Sequence, residues 1–331
     1  MVSLRQLMYY VLRVLHLIVN NLMAIPAYTV WLFFLTPLRH LCPAIYWQIE
    51  RVLFKALISF VVMWTNSGGY KIIESGDDLS SLYDNRVLLL VNHQSTADIP
   101  CVMSALLPKS HGKEYRESQL DLLNNHLLQR YLTSDKRWIV LFPEGGFLYK
   151  RRISSQKFAE KNNLPILNHV ALPRVGAMNT IMDTLGSIKD GKKEGGLQWV
   201  VDMTLAYPGG EALDMHGICI GWWKPCNMHV NYRAYPVSDI PNTIDDQLSW
   251  LYDRYTEKEQ LLEHFYKHGE FPENEPGKPR MLPRVISHEV PFDKVWFMIA
   301  YAFYAVSAYI FWIFVYSPLL SVISGLVSFV I

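Results

Sequence analysis

Charge-free apolar runs of two sizes divide this chain. The long ones lie towards its ends: Val14 to Leu38 carries no Asp, Glu, Lys or Arg over 25 residues, and Val295 to Ile331 none over 37. About 20 apolar residues let a helix cross a bilayer core, so each run predicts a membrane segment. Pro26 allows a kinked span or a re-entrant segment. Ser317-Pro318 allows either one long span with a tail or a helical hairpin. A shorter patch, Ala56 to Trp64, is too short to span and is expected on the interface or against the soluble domain.

The short runs lie between. Val87 to Val91 and Trp138 to Phe142 read as buried strands, each ended abruptly by turn residues. Tyr70 to Glu74, Gly217 to Trp223 and Asn227 to Ala234 also read as strands, and Pro165 to Leu167 and His169 to Leu172 offer more strand material. Helical spacing marks Ser118 to Tyr131, Ser154 to Asn162, and Asp245 to His268, the last stopped by Gly269. Strands alternating with helices predict an α/β domain, a mixed or mostly parallel sheet with helices packed on it. The expected organisation is an N-terminal membrane anchor and interfacial segment (1–67), the α/β domain (68–270), a proline- and charge-rich linker (271–294) and a C-terminal membrane segment (295–331).

Composition narrows the function classes. A net charge of +1 does not point to nucleic acid. Four irregularly spaced cysteines suit a reducing compartment better than a disulfide framework. His216, Cys219, Cys226 and His229 have a zinc-like spacing. On strands, however, residues three apart point to opposite faces, so each pair would be split and no metal site is expected.

Chemistry concentrates at two strand ends. After Val91 the chain reads Asn92-His93, with Asp98 five residues beyond the histidine. On a regular helix such a pair would be about 140° apart, so the two side chains meet only if His93 lies in the turn and Asp98 starts the helix. Asp98 would then fix the imidazole tautomer and leave the other ring nitrogen as a base. The plainer alternative makes Asp98 an N-cap and His93 a turn residue. After Phe142 come Pro143, Glu144, Gly145 and Gly146, then Lys150, Arg151 and Arg152, a glycine turn with nearby cations suited to a phosphate or a coenzyme tail.

Asn92, His93 and Asp98 match N-H-x-x-x-x-D. Phe142, Pro143, Glu144, Gly145 and Gly146 match F-P-E-G-[GT]. Val170 to Arg174 supplies a looser proline-containing segment. On these motifs the chain resembles the glycerolipid acyltransferase family of the PlsC type, over most of its length. The resemblance implies a mixed-sheet acyltransferase fold and an enzyme of the endoplasmic reticulum membrane that esterifies a lysoglycerophospholipid. It implies acyl-CoA as co-substrate and no further cofactor, His93 as general base, Asp98 as its orienting acid, and a substrate-binding set of Asn92, Pro143, Glu144, Gly145, Gly146 and Arg151. The family also carries, between the two motifs, a Gly-x-x-Phe-x-x-Arg block whose arginine is thought to bind the acceptor phosphate. Here 51 positions separate His93 from Glu144, and Cys101 to Arg137 holds one glycine and no phenylalanine. The alternative this leaves open is a shortened, weakly active or inactive form that binds membrane lipid.

Overall fold

The computed structural model describes residues 3–109, 127, 131, 137–186, 196–273 and 281–330, with the side chains of 326–330 left aside. Of the expected helix Ser118 to Tyr131, only Leu127 and Tyr131 fall among them, and both are buried. Two long helices open the chain, α1 (Leu4–Leu41) and α2 (Pro43–Ser67). A strand β1 (Lys71–Asp77) follows, then β2 (Val87–Val91), α3 (Asp98–Leu106), β3 (Trp138–Leu141), α4 (Leu148–Lys161) and α5 (Gly176–Ile181). Next come β4 (Trp199–Ala206), α6 (Met215–Ile220), β5 (Asn227–Pro236), α7 (Ile244–His268), β6 (Arg284–Glu289) and α8 (Lys294–Phe311). Helix α8 continues through a wider turn, Trp312–Tyr316, into α9 (Ser317–Val330).

The six strands form one mixed sheet in the order β3-β2-β4-β5-β1-β6. Strand β2 is parallel to both neighbours, with Leu89 level with Val140 on one side and Val201 on the other. Its five residues are fully buried because both faces are covered. Leu88 and Leu90 face Met178, Ile181 and Leu251 of α5 and α7, while Val87, Leu89 and Val91 face Cys101, Val102 and Ala105 of α3. Because β3, β2 and β4 run the same way, their carboxyl ends open on one edge of the sheet, where ligands collect in such folds. Asn92-His93, Pro143-Glu144 and Tyr207 all leave the sheet there.

Helix α1 runs through both Pro26 and Pro37 as one element, so the re-entrant option drops out. The carboxyl-terminal run is likewise one helix from Lys294 to Gly325, not a hairpin at Ser317-Pro318. Both helices are long and apolar enough to cross a membrane, and they expose large apolar side chains such as Leu12, Leu22, Phe33, Ile299 and Phe314. Together with α2 they enclose Ala24, Ala27, Phe60, Phe297 and Tyr304, tied by Trp31 Nε1 donating to Ser307 Oγ at 3.0 Å and Tyr304 hydroxyl donating to Leu53 O at 2.8 Å. This pairing associates the chain with a membrane. The patch at Ala56 to Trp64 packs on the α/β domain: Ile58 and Val62 meet Leu107, and Thr65 hydroxyl bonds to that of Ser104 at 3.0 Å. Arg13 joins the first helix to the domain. Its guanidinium donates to Ile218 O at 2.9 Å and Cys219 O at 3.2 Å at the end of α6, and to Trp64 O at 3.1 Å.

Three expectations need correction. Met215–Ile220 is helical: Asp214 caps it by accepting from Gly217 N at 2.8 Å, and Gly221 ends it in the left-handed region at φ 78°. His216 and Cys219 therefore lie on a helix and not on a strand, yet among the described residues no three His, Cys, Asp or Glu side chains gather in a metal-binding group. Residues 165–172 form no strand. Their N–H groups bond to carboxylates instead, those of Asn168 and His169 to Glu259 at 2.7 and 2.8 Å, and that of Ala171 to Glu144 at 3.1 Å. Finally, the linker assigned to 271–294 contains β6, an exposed edge strand antiparallel to β1.

Candidate active site

His93 follows the central strand directly, and its place is fixed from several sides. Asn92 locks the strand end to β4, donating through Nδ2 to Leu205 O at 2.9 Å and accepting from Leu205 N at 2.8 Å. His93 N donates to Glu144 Oε1 at 2.8 Å, and His93 O accepts from Leu148 N at 2.8 Å at the start of α4. The ring stacks on Phe142 at 4.2 Å between centroids and lies tilted against Phe147 at 4.4 Å. Only 7% of the residue is exposed.

Its Nδ1 lies 2.9 Å from Asp98 Oδ2. The turn places the pair as the spacing required, with His93 before the helix and Asp98 as the first residue of α3. Asp98 is fully buried. Its Oδ2 also accepts from Gln94 N at 2.6 Å and Ser95 N at 2.9 Å, and its Oδ1 accepts from the Tyr207 hydroxyl at 2.6 Å. These donors stabilise a carboxylate that would be costly to bury alone. The two backbone donors, Gln94 N and Ser95 N, precede Asp98 in the chain, so the carboxylate closes the turn before α3 and does not serve as an N-cap. An ionised Asp98 is acceptor-only, so Nδ1 carries the proton and Nε2 keeps its lone pair. Burial raises the Tyr207 phenol well above the usual range, and Asp98 adds to it, so Tyr207 stays a donor.

Glu144 lines the cavity beside the glycine turn, and both its oxygens are engaged by backbone. It is 2% exposed, and its two oxygens accept from His93 N and Ala171 N at 2.8 and 3.1 Å. It braces His93 against the loop that precedes α5. Burial pushes its carboxyl up to about 8, against the pull of those two N–H groups. Unfolded, the group returns to an ordinary glutamate value, so its contribution to stability is complete at low pH and is lost as pH rises towards 8. The melting temperature of the purified chain should therefore fall between about pH 5 and 8, and Glu144→Gln should flatten that fall. An unchanged slope in the variant would assign the titration to another group.

The glycine turn stands beside this brace. Gly145 has φ 65°, a left-handed conformation that glycine adopts at little cost, and its N donates to Phe142 O at 3.2 Å. Arg151 Nη2 donates to Gly145 O at 3.0 Å, and Pro143 O accepts from Arg174 N at 2.8 Å. The structure thus brings Asn92, His93, Asp98 and Glu144 into one hydrogen-bonded unit, and Pro143, Gly145, Gly146 and Arg151 into the adjoining turn. Sequence reading missed Tyr207 and Gln94. Tyr207 reaches Asp98 from 109 positions away in the chain.

A buried imidazole whose Nε2 makes no hydrogen bond among the described residues, fixed by a carboxylate at the carboxyl ends of parallel strands, is the arrangement of an α/β enzyme with a group able to take a proton from a substrate hydroxyl. A family model described as acyltransferase C-terminus matches residues 219–292. The acyl-CoA:lysophosphatidylglycerol acyltransferases 1 of Mus musculus and Homo sapiens are each 37% identical to this chain over 345 aligned residues, covering 91% of it and 92% of the relative. A putative 1-acyl-sn-glycerol-3-phosphate acyltransferase of Caenorhabditis elegans is 30% identical over 281 residues, 71% of this chain and 70% of that one. No solved structure matches the chain. The chain belongs to the glycerolipid acyltransferase family and is an acyltransferase. An aligned length of 345 exceeds the 331 residues present, so the first two relatives carry residues without a counterpart here.

Proposed function

We propose that this protein transfers an acyl group from acyl-CoA to a lysophospholipid, lysophosphatidylglycerol or a related lysoglycerophospholipid. We propose further that its terminal apolar helices make it an integral protein of the endoplasmic reticulum membrane. His93 is the general base. Its Nε2 takes the proton of a glycerol hydroxyl, the oxygen attacks the thioester carbonyl carbon, the carbon–sulfur bond breaks, and the CoA sulfur leaves with a proton returned from Nε2. A thioester is already activated, so no covalent enzyme intermediate is needed. Asp98 holds the tautomer and stabilises the imidazolium as it forms. Asn92 and Glu144 position His93. Gly145, Gly146 and Arg151 receive the acceptor's head group. The observation that carries this reading is the 2.9 Å contact between His93 Nδ1 and Asp98 Oδ2, on a carboxylate whose remaining donors are all accounted for.

The short stretch between the two motifs favours a second reading, a membrane-held lipid-binding protein without turnover. Against it stands the sheet itself. Strands β2 and β3 pair directly and in parallel from Val87↔Trp138 to Leu90↔Leu141, so the shortening leaves no gap between the two motif-bearing strands. A parallel crossover needs about a dozen residues or more, and the chain between Val91 and Trp138 exceeds that several-fold. Purified full-length chain in mixed micelles, given labelled acyl-CoA and lysophospholipids differing in head group, should yield labelled diacyl phospholipid, with lysophosphatidylglycerol among the acceptors used. No product from any acceptor, with lipid still bound, would favour the second reading.

A further inference from the structure

Beside the glycine turn lies a cavity of about 550 Å³, with Arg151, Ser154, Phe158, Arg174, Leu248 and Tyr252 among its walls. Two guanidinium groups reach its mouth from different parts of the chain. A Cβ added to Gly146 would meet Arg151 Nε at 3.1 Å, and one added to Gly145 would meet Arg174 Cδ at 3.5 Å and Nε at 3.7 Å. Gly146 thus leaves room that a side chain would contest with Arg151, and Arg174 lies at ordinary contact distance from Gly145, so two arginine side chains lie across the turn. Arg151 spends one N–H on Gly145 O. Arg174 is exposed, and among the described residues its guanidinium has no hydrogen bond or ion pair. Among the described residues the one acid on the wall, Glu144, is committed to two backbone N–H groups. Two cations without a carboxylate, backed by Phe158, Leu248 and Tyr252 and a serine hydroxyl, suit a phosphate ester carrying an organic group.

We infer that Arg174, acting with Arg151, binds a phosphate of the substrate in this cavity and supplies the cation that the absent Gly-x-x-Phe-x-x-Arg block would otherwise provide. The inference rests on the acyltransferase reading and gives Arg174, the last residue of the looser proline-containing segment, a role that the motifs did not assign. Arg174 is held in place by its backbone, through the bond from its N to Pro143 O, and this bond survives replacement of the side chain. The phosphate belongs either to the lysophospholipid or to CoA, and the two sources separate kinetically.

The test measures initial rates of the full-length chain with each substrate varied in turn. Arg174→Ala should raise the KM for one phosphate-bearing substrate by about tenfold or more while kcat changes little, because a lost charge-assisted contact made before and during reaction weakens binding without altering the base. A rise for the lysophospholipid assigns the head-group phosphate, and a rise for acyl-CoA assigns the coenzyme. Arg174→Lys should recover part of the loss. Unchanged KM for both substrates in an active Arg174→Ala enzyme would overturn the inference and leave the acyltransferase reading intact. Equilibrium binding reads the same contact without turnover. Lysophosphatidylglycerol or CoA should bind the His93→Ala chain about tenfold or more tighter than the His93→Ala/Arg174→Ala chain. Equal affinities for both ligands would overturn the inference even if no variant turned over.

Discussion

His93→Ala should lower acyl transfer by at least about 10²-fold, the range expected for losing a positioned general base. The chain should stay folded and membrane-bound. The reasons lie in what the imidazole does and does not hold. The bonds that fix the turn run through the His93 backbone, from its N to Glu144 and from Leu148 N to its O, and both outlive the ring. Asp98 keeps three donors, Gln94 N, Ser95 N and the Tyr207 hydroxyl, so no bare buried charge is created. What remains is a cavity between Phe142 and Phe147 and a substrate hydroxyl with no acceptor for its proton. Transfer rate, membrane fractionation and thermal unfolding of the purified variant check the three parts. Near wild-type activity would remove His93 from the mechanism.

Asp98→Asn should also cost about 10²-fold or more with the fold retained, for a different reason. The amide oxygen can take the place of Oδ2 and accept from His93, Gln94 and Ser95. The amide nitrogen then faces the Tyr207 hydroxyl, which can rotate from donor to acceptor. Geometry survives, but the negative charge opposite the developing imidazolium is gone. A Tyr207→Phe control should leave most of the activity, because it removes one neutral donor and keeps the charge. If Asp98→Asn transferred acyl groups as fast as wild type, the carboxylate would be only a turn-closing residue.

The sequence was most legible where local physics decides. Val87 to Val91 is buried on both faces and Trp138 to Phe142 supplies the neighbouring edge strand, and the turn residues after them mark the sheet edge where the site lies. The apolar lengths of α1 and α8 were equally plain. Legibility failed where distant partners decide. Residues 165–172 look like strand material, but Glu259 and Glu144, each more than twenty positions away, take N–H groups that a strand would need. Glu144 sits in a motif that suggests contact with substrate, and only the fold shows both its oxygens facing backbone. Tyr207 carries no local signal for its place beside Asp98, and Arg174, though it ends the looser proline-containing segment, gets its place from a bond to Pro143. Gly217 to Trp223 reads as a strand from its apolar and glycine residues, whereas Asp214 and Gly221 are the capping signals that make Met215–Ile220 a helix.

The claim everything depends on is that Asp98 acts through His93, and a double-mutant cycle on acyl transfer tests it most directly. If one unit does the chemistry, His93→Ala/Asp98→Asn will be no slower than His93→Ala alone, within about threefold, because a carboxylate has nothing to orient once the ring is gone. Losses that multiply, with the double variant slower by the product of the two single factors, would mean that the two side chains work separately and that the buried pair is not the catalytic base.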